Sequence, residues 1–298
     1  MIRVGPAGWS YPDWDGVVYP RQKPRGFHPL RYLARFVDCI EINSTFYAMP
    51  TAHSASRWAS LLDEWSDFRL TAKLHRDFTH FATHFKRGEA APEAEQQAQA
   101  FLEGLAPLVR TRRLAALLVQ FPISFHHGPA EVRRLGWLHA HLGKLPLVLE
   151  LRHDSWYTPP ALAAITGLGF SLAHIDLPPA WNHPPPWHAP TGPVGYLRLH
   201  GRNRVSWFDR EAGRNARYDY LYSPEELDPL VEKARRLSAE YDETYVTTNN
   251  HFSGKAVANA IEIRAALRGH AVSAPPELVR AYPRLSSSAQ VSGQQELF

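Results

Sequence analysis

CIEINSTFY, residues 39 to 47, decides the fold. Ile40 and Ile42 point one way and Glu41 and Asn43 the other, because side chains alternate along a strand with a period of two. A strand buried on both faces has no use for a carboxylate and an amide, so this one ends in a polar place. The oddity repeats: KLH at 73 to 75, ELRHD at 150 to 154, HID at 174 to 176, LRLH at 197 to 200 and TNNH at 248 to 251 follow or interrupt apolar runs. In each, apolar residues lead and polar ones close the strand.

Working outward, the strands alternate with helical stretches. Strands are expected at 2–10, 39–46, 68–75, 114–122, 146–154, 170–176, 194–201 and 243–251, with helices near 29–37, 51–64, from Pro92, 129–143 and 159–167. A further helix opens on a capping box, Ser223 and Glu226 with Pro224 at its first position. A last one, KAVANAIEIRAALRG, closes on Gly269. Eight such repeats in 298 residues predict an α/β protein, a single (β/α)8 TIM barrel over residues 1–283, with 284–298 as a flexible tail. GPAGWS after the first strand lacks the spacing of a dinucleotide-binding loop. Seven prolines in 177–193 rule out helix or central strand there, and a long loop over one barrel end is expected, joined by the basic, aromatic loop 202–222.

Composition narrows the class. Hydrophobic residues make up 44% and charged residues 21%, a globular balance, and no apolar run approaches the roughly 20 residues of a membrane span. MIRVGPAGW enters a strand directly and lacks the sections of a signal peptide, so a cytoplasmic protein is expected. The single cysteine, Cys39, forms no internal disulfide and is expected to be buried. A net charge of +4 and a pI near 9.2 lean toward an anionic partner.

In a barrel of this kind the strands' carboxyl ends form the active-site face. By parity, Glu41 with Asn43, Lys73 with His75, Glu150 with Arg152, His174 with Asp176 and Arg198 with His200 share a strand face toward the axis. The rival reading is a satisfied polar layer, in which arginines and glutamates pair to hold neighbouring strands together. The cost of burying unpaired charge weighs against adopting such a layer where apolar residues would serve.

The motifs GPAGWSYPDW, EINSTFY, FRLTAK with THF after it, QFP, ELRHDSW, LRLHG and NNHFSGKAVANA, in this order over residues 2 to 268, resemble the family called domain of unknown function 72, or YecE-like. The resemblance implies a TIM-barrel fold and no particular reaction. Its motif positions mark Trp9, Tyr11, Trp14, Glu41, Asn43, Phe46, Tyr47, Lys73, Gln120, Glu150, Arg152, Trp156, Arg198, His200, Asn249 and Asn250 as the pocket. Pro6 and Ala7 stand where the family often has a small hydroxyl residue or cysteine.

Three functions follow as expectations. The first is a hydrolase acting on a phosphate-containing, nucleic-acid substrate. Glu41, Glu150 and His200 would do the chemistry, and Arg152, Arg198 and Lys73 would clamp phosphate. Asn43, Asn249 and Asn250 would orient the substrate and tryptophans would stack on bases. A divalent metal on Glu41 or Glu150 with Asp176, His75 and His200 is compatible with this set, although no fixed-spacing metal motif is present. The second is a glycosidase using the two glutamates. The third is a non-catalytic barrel that binds an anionic ligand. His80, His84, His126 and His127 fall in loops and read as solvated. The last five residues, Gln294 to Phe298 (QQELF), resemble the peptide by which bacterial replication and repair proteins dock onto the sliding clamp, an expected link to DNA.

Overall fold

The computed structural model describes residues 1–81, 84–209 and 211–291. The parallel strands are β1 (Ile2–Pro6), β2 (Cys39–Ile42), β3 (Arg69–Lys73), β4 (Leu114–Gln120), β5 (Leu147–Glu150), β6 (Ser171–Leu172), β7 (His174–Asp176), β8 (Gly195–Leu199) and β9 (Thr244–Thr248). They form an α/β fold of two parallel sheets, ordered β2-β3-β4-β5-β6 and β1-β9-β8-β7. Helices α1 (Pro29–Leu33), α2 (Ala52–Ser60), α3 (Glu93–Arg110), α4 (Pro129–Leu142), α5 (Pro159–Gly167), α6 (Pro224–Ser238) and α7 (Lys255–Arg268) run between them.

Instead of the expected unbroken ring, the hydrogen-bond ladders draw two arcs. They meet in two places. Ala7 bridges Glu41 between β1 and β2, where the Gly8 amide donates to the Glu41 carbonyl at 2.8 Å. On the other side, Ala173 sits between β6 and β7 and its amide donates to Leu149 of β5 at 2.8 Å.

Side chains alternate as the sequence requires. Ile40, Ile42, Leu117, Leu149, Leu197 and Val246 join the large apolar cluster that includes the helices' inner faces. Cys39, Ala116, Leu118, Val148, Tyr196 and Tyr245, from the opposite strand faces, form a second, small cluster. Residues two positions further along those same faces are polar: Glu41, Gln120, Glu150, Arg198 and Thr247, all buried. The apolar cluster is thus the base on which the polar layer stands.

The capping box of α6 forms as expected: the Glu226 amide donates to the Ser223 hydroxyl at 3.3 Å and the Ser223 amide to the Glu226 carboxylate at 2.9 Å. Gly269 ends α7 with a φ of 72°. Beyond Arg284 the chain still packs. Leu285 is buried, and Ala289–Val291 pairs in parallel with Val272–Ala274. Gln294 to Phe298 lie outside the described residues. Among the described residues no helix is long and apolar enough to cross a membrane.

At the join between the arcs, a Cβ added to Gly5 would lie 1.7 Å from the Cys39 carbonyl oxygen. Only a bare Cα permits that approach, so Gly5→Ala is expected to force the strands apart and cost about 1–3 kcal/mol, read as a lower urea midpoint.

Candidate functional site: a cationic pocket at the strand ends

Arg198 on β8 projects into the polar layer between two carboxylates of the other arc, Glu41 on β2 and Glu150 on β5. Its Nε donates to Glu41 Oε2 at 2.9 Å and its Nη2 to Glu41 Oε1 at 2.5 Å, a two-point grip. Its Nη1 donates to Glu150 Oε2. Tyr196, one turn of the pleat below, donates its hydroxyl proton to Glu41 Oε2 at 2.9 Å and is itself held by Thr71 and Thr247 at 2.9 and 3.3 Å. Arg152 grips Glu150 Oε1 through Nε at 2.8 Å and Nη2 at 2.7 Å. His200 Nε2 lies 3.3 Å from Glu150 Oε2, and its Nδ1 is 3.1 Å from Asn249 Nδ2.

The protonation states follow from burial and charge. Burial alone would push the Glu150 carboxyl up; the Arg198 guanidinium foremost, then His200 and Arg152, outweigh it and hold it well below the usual carboxylate range. Burial lowers His200 to about 4, against the pull of Glu150, so its imidazole is neutral at pH 7. Lys73 closes β3, its carbonyl fixed by the Thr45 hydroxyl at 2.6 Å, and its ammonium sits 3.9 Å above the Phe46 ring. Burial, then repulsion by Arg198, brings it down to about 7.

Above this layer opens a cavity of about 640 Å³. Its cationic lining is Lys73, Arg152, Arg198 and Arg217, its amides are Asn43, Gln120 and Asn249, and its aromatic walls include Trp9, Trp58, Phe46 and Tyr218. Trp9 and Trp58 meet edge to face at 5.6 Å. Tyr11 stacks on His251 at 4.5 Å.

The structure therefore brings together Trp9, Tyr11, Asn43, Phe46, Tyr47, Lys73, Gln120, Arg152, Arg198 and Asn249. It separates others. Trp14 and Trp156 are fully buried, their indole N–H groups donating to the His251 and Phe125 carbonyls at 2.7 Å each. Asn250 is buried against the Tyr220 carbonyl and Asn259. Glu41, Glu150 and His200 lie beneath the cavity surface and do not line it. Their expected general acid–base work meets two obstacles: both carboxylates are covered by guanidinium groups, and Glu150 is held ionised. A single guanidinium spans the two glutamates, and both are buried, with Glu150 held ionised, whereas a glycosidic acid must be protonated and accessible.

The suggested metal ligands do not converge. Asp176 is taken up by Arg202 at 2.7 Å and by the Tyr222 hydroxyl at 2.6 Å, and His75 Nδ1 accepts from the Asp77 amide at 3.4 Å. Among the described residues no group of three or more His, Cys, Asp or Glu side chains is placed to hold a metal ion. His84, read as solvated, is buried and lies 2.8 Å from Gln97. His80 lines the cavity, as does His251. The proline-rich 177–193 segment contributes no lining residue among those described; Trp187 instead stacks on His174 at 4.6 Å under the Arg236 guanidinium. The 202–222 loop does reach the cavity, through Arg217 and Tyr218. Trp58 was missed because on an amphipathic helix a tryptophan reads as core.

Two measurements check the polar layer. Arg198→Ala leaves two buried carboxylates facing each other, and the variant is expected to lose roughly 3–5 kcal/mol of stability in urea melts. Glu150 has a folded pKa below its unfolded value of about 4.3, so its stabilising contribution is complete above that value and is lost as pH falls through the folded pKa. Glu150→Gln should accordingly be less stable than wild type at pH 7, and the gap should narrow in melts taken progressively below pH 4.

The family profile described as "Protein of unknown function DUF72" matches residues 3–281. The UPF0759 protein YunF of Bacillus subtilis (strain 168) is 27% identical over 269 residues, covering 87% of this chain and 92% of YunF. The UPF0759 protein YecE of Escherichia coli (strain K12) is 28% identical over 158 residues, 53% of this chain and 50% of YecE. The crystal structure of a DUF72 family protein from Thermotoga maritima is similar with a TM-score of 0.76 at 31% identity, over 90% of this chain and 99% of that one. One from Enterococcus faecalis gives a TM-score of 0.76 at 27% identity, over 90% and 96%. With its ordered motifs, nearly its whole length and its fold in agreement, this chain belongs to the DUF72 (YecE-like, UPF0759) family.

Proposed function

We propose that the pocket binds a phosphate-bearing ligand with a planar ring, such as a nucleotide or a terminal unit of nucleic acid, and that the two arcs act as one (β/α)8 barrel whose mouth it fills. The observation that carries this reading is the lining's charge: Lys73, Arg152, Arg198 and Arg217 line the cavity, and no carboxylate does among the described residues. The glutamates below neutralise part of that charge and, more importantly, hold Arg198 and Arg152 in fixed positions, so little side-chain freedom is lost when an anion arrives. Trp9, Trp58 and Tyr218 supply flat apolar faces for a ring. The volume is of the size that small-ligand sites occupy.

For a hydrolase acting on such a ligand, the basic nitrogens in the cavity lining that can take up a proton belong to Lys73, His80 and His251, rather than to the glutamates beneath it. Burial, with repulsion from Lys73 and Arg152, lowers His80 to about 4, and Lys73 at about 7 exchanges its proton near neutrality.

Calorimetric titration with sulfate and with nucleoside monophosphates tests the reading. Both should bind, the nucleotide more tightly, and Arg152→Ala should weaken both by about ten- to a hundredfold, as expected for losing a charge-assisted contact of about 1.5–3 kcal/mol. Lys73 is charged below about 7, so sulfate affinity should rise as pH falls from 8 to 6, and Lys73→Arg should flatten that profile. Neutral sugars binding as well as nucleotides, with no salt dependence, would turn the assignment to carbohydrate.

A further inference from the structure

A lysine buried for structural reasons takes a carboxylate partner, because an unpaired ammonium is costly away from water. Lys73, half-buried in the cavity wall, has none among the described residues. The nearby carboxylates are committed elsewhere: Glu41 to Arg198 and Tyr196, and Glu150 to Arg198 and Arg152. Its amine rests on the Phe46 ring at 3.9 Å, with the His80 ring edge-on to the same ring at 4.9 Å, and it shares the cavity lining with Arg152 and Arg198. The strand end that carries it is fixed by the Thr45 hydroxyl on its carbonyl and by the Leu74 amide donating to Leu118 at 2.9 Å. An amine without an ion-pair partner, on a rigid strand end, beside two held guanidinium groups, is an arrangement for a carbonyl that carries a negative charge nearby.

We infer that Lys73 is an imine-forming residue and that the pocket's ligand is an aldehyde or ketone with a phosphate within reach of Arg152 and Arg198. This rests on the anion-binding reading above and specifies its ligand. The Lys73 lone pair forms a C–N bond to the carbonyl carbon while the C=O π electrons move to oxygen. That oxygen takes up the proton the nitrogen releases. A second proton, from solvent, then lets the oxygen leave as water, and the nitrogen lone pair closes the C=N bond of a cationic iminium. No oxidant, metal or further reactant enters the balance. The lowered lysine value, about 7, keeps a large neutral fraction of the amine at physiological pH, as the first step requires. The iminium's positive charge replaces that of the ammonium, so the Phe46 face serves both states.

The test is reductive trapping with cyanoborohydride, which converts an iminium into a stable secondary amine, followed by peptide mass mapping. The probes are glycolaldehyde phosphate and an oligonucleotide bearing an abasic-site aldehyde, two sources of one chemistry. With at least one of them, label on Lys73 should exceed that on the exposed Lys86 and Lys144 by tenfold or more, fall with excess inorganic phosphate and vanish in Lys73→Arg. Labelling by one probe alone identifies the source. Because mapping is done on the wild-type protein, a poorly folded variant does not obscure the result. Label on Lys73 no greater than on the exposed lysines, with both probes, overturns the inference. Sulfate binding measured on the same samples separates the failures: sulfate bound without Lys73 label removes only the imine, whereas neither removes the anion site as well.

Discussion

One guanidinium, that of Arg198, holds the polar centre of this protein together. It stands between Glu41 of one sheet and Glu150 in the same five-stranded sheet, while Arg198 itself belongs to the other sheet. Burying three charges gains little net stability, since desolvation consumes most of the Coulomb attraction. What the arrangement supplies is order. Each carboxylate has its oxygens occupied and each arginine is fixed in direction, so the pocket presents positive charge from groups that cannot swing away. The glutamates thus act through the arginines they hold.

Most of the architecture was legible. Strand positions, helix starts, the Ser223–Glu226 capping box and the terminal Gly269 follow from local signals, and the structure realises them. The face on which polar residues would sit also followed from parity, since Glu41, Lys73, Glu150 and Arg198 do meet. Their division of labour did not follow. Parity tells which way a side chain points but not which charge satisfies it, and the partner of Glu41 is 157 residues away along the chain. A satisfied layer of arginine and glutamate and a site built from the same residues exclude each other only if the layer is uniform. In the structure the lower half of the layer is satisfied and the upper half faces the cavity.

The tryptophans show the same limit in apolar terms. Trp9, Trp14 and Trp156 are alike in sequence, each just after a strand. Only Trp9 reaches the cavity, because Trp14 and Trp156 each spend their N–H on a distant loop carbonyl, at His251 and Phe125, and such pairings carry no local signature. The proline-rich segment was rightly denied helix and strand, yet its destination, beside His174 and Arg236, depended on aromatic and cationic faces that only the folded chain brings close.

The order in which the layer's members appear along the chain has a consequence for synthesis. Glu41 and Glu150 emerge from the ribosome well before Arg198, and β9, which pairs with both β1 and β8, comes later still. Until then Glu41 has no arginine to be buried against and Glu150 has Arg152 alone, and water is the better place for the oxygens left unpaired. Burial of both carboxylates therefore waits on Arg198, the two-point partner of Glu41 and the second partner of Glu150. The polar layer under the pocket is complete only once a late stretch of the chain has joined an early one.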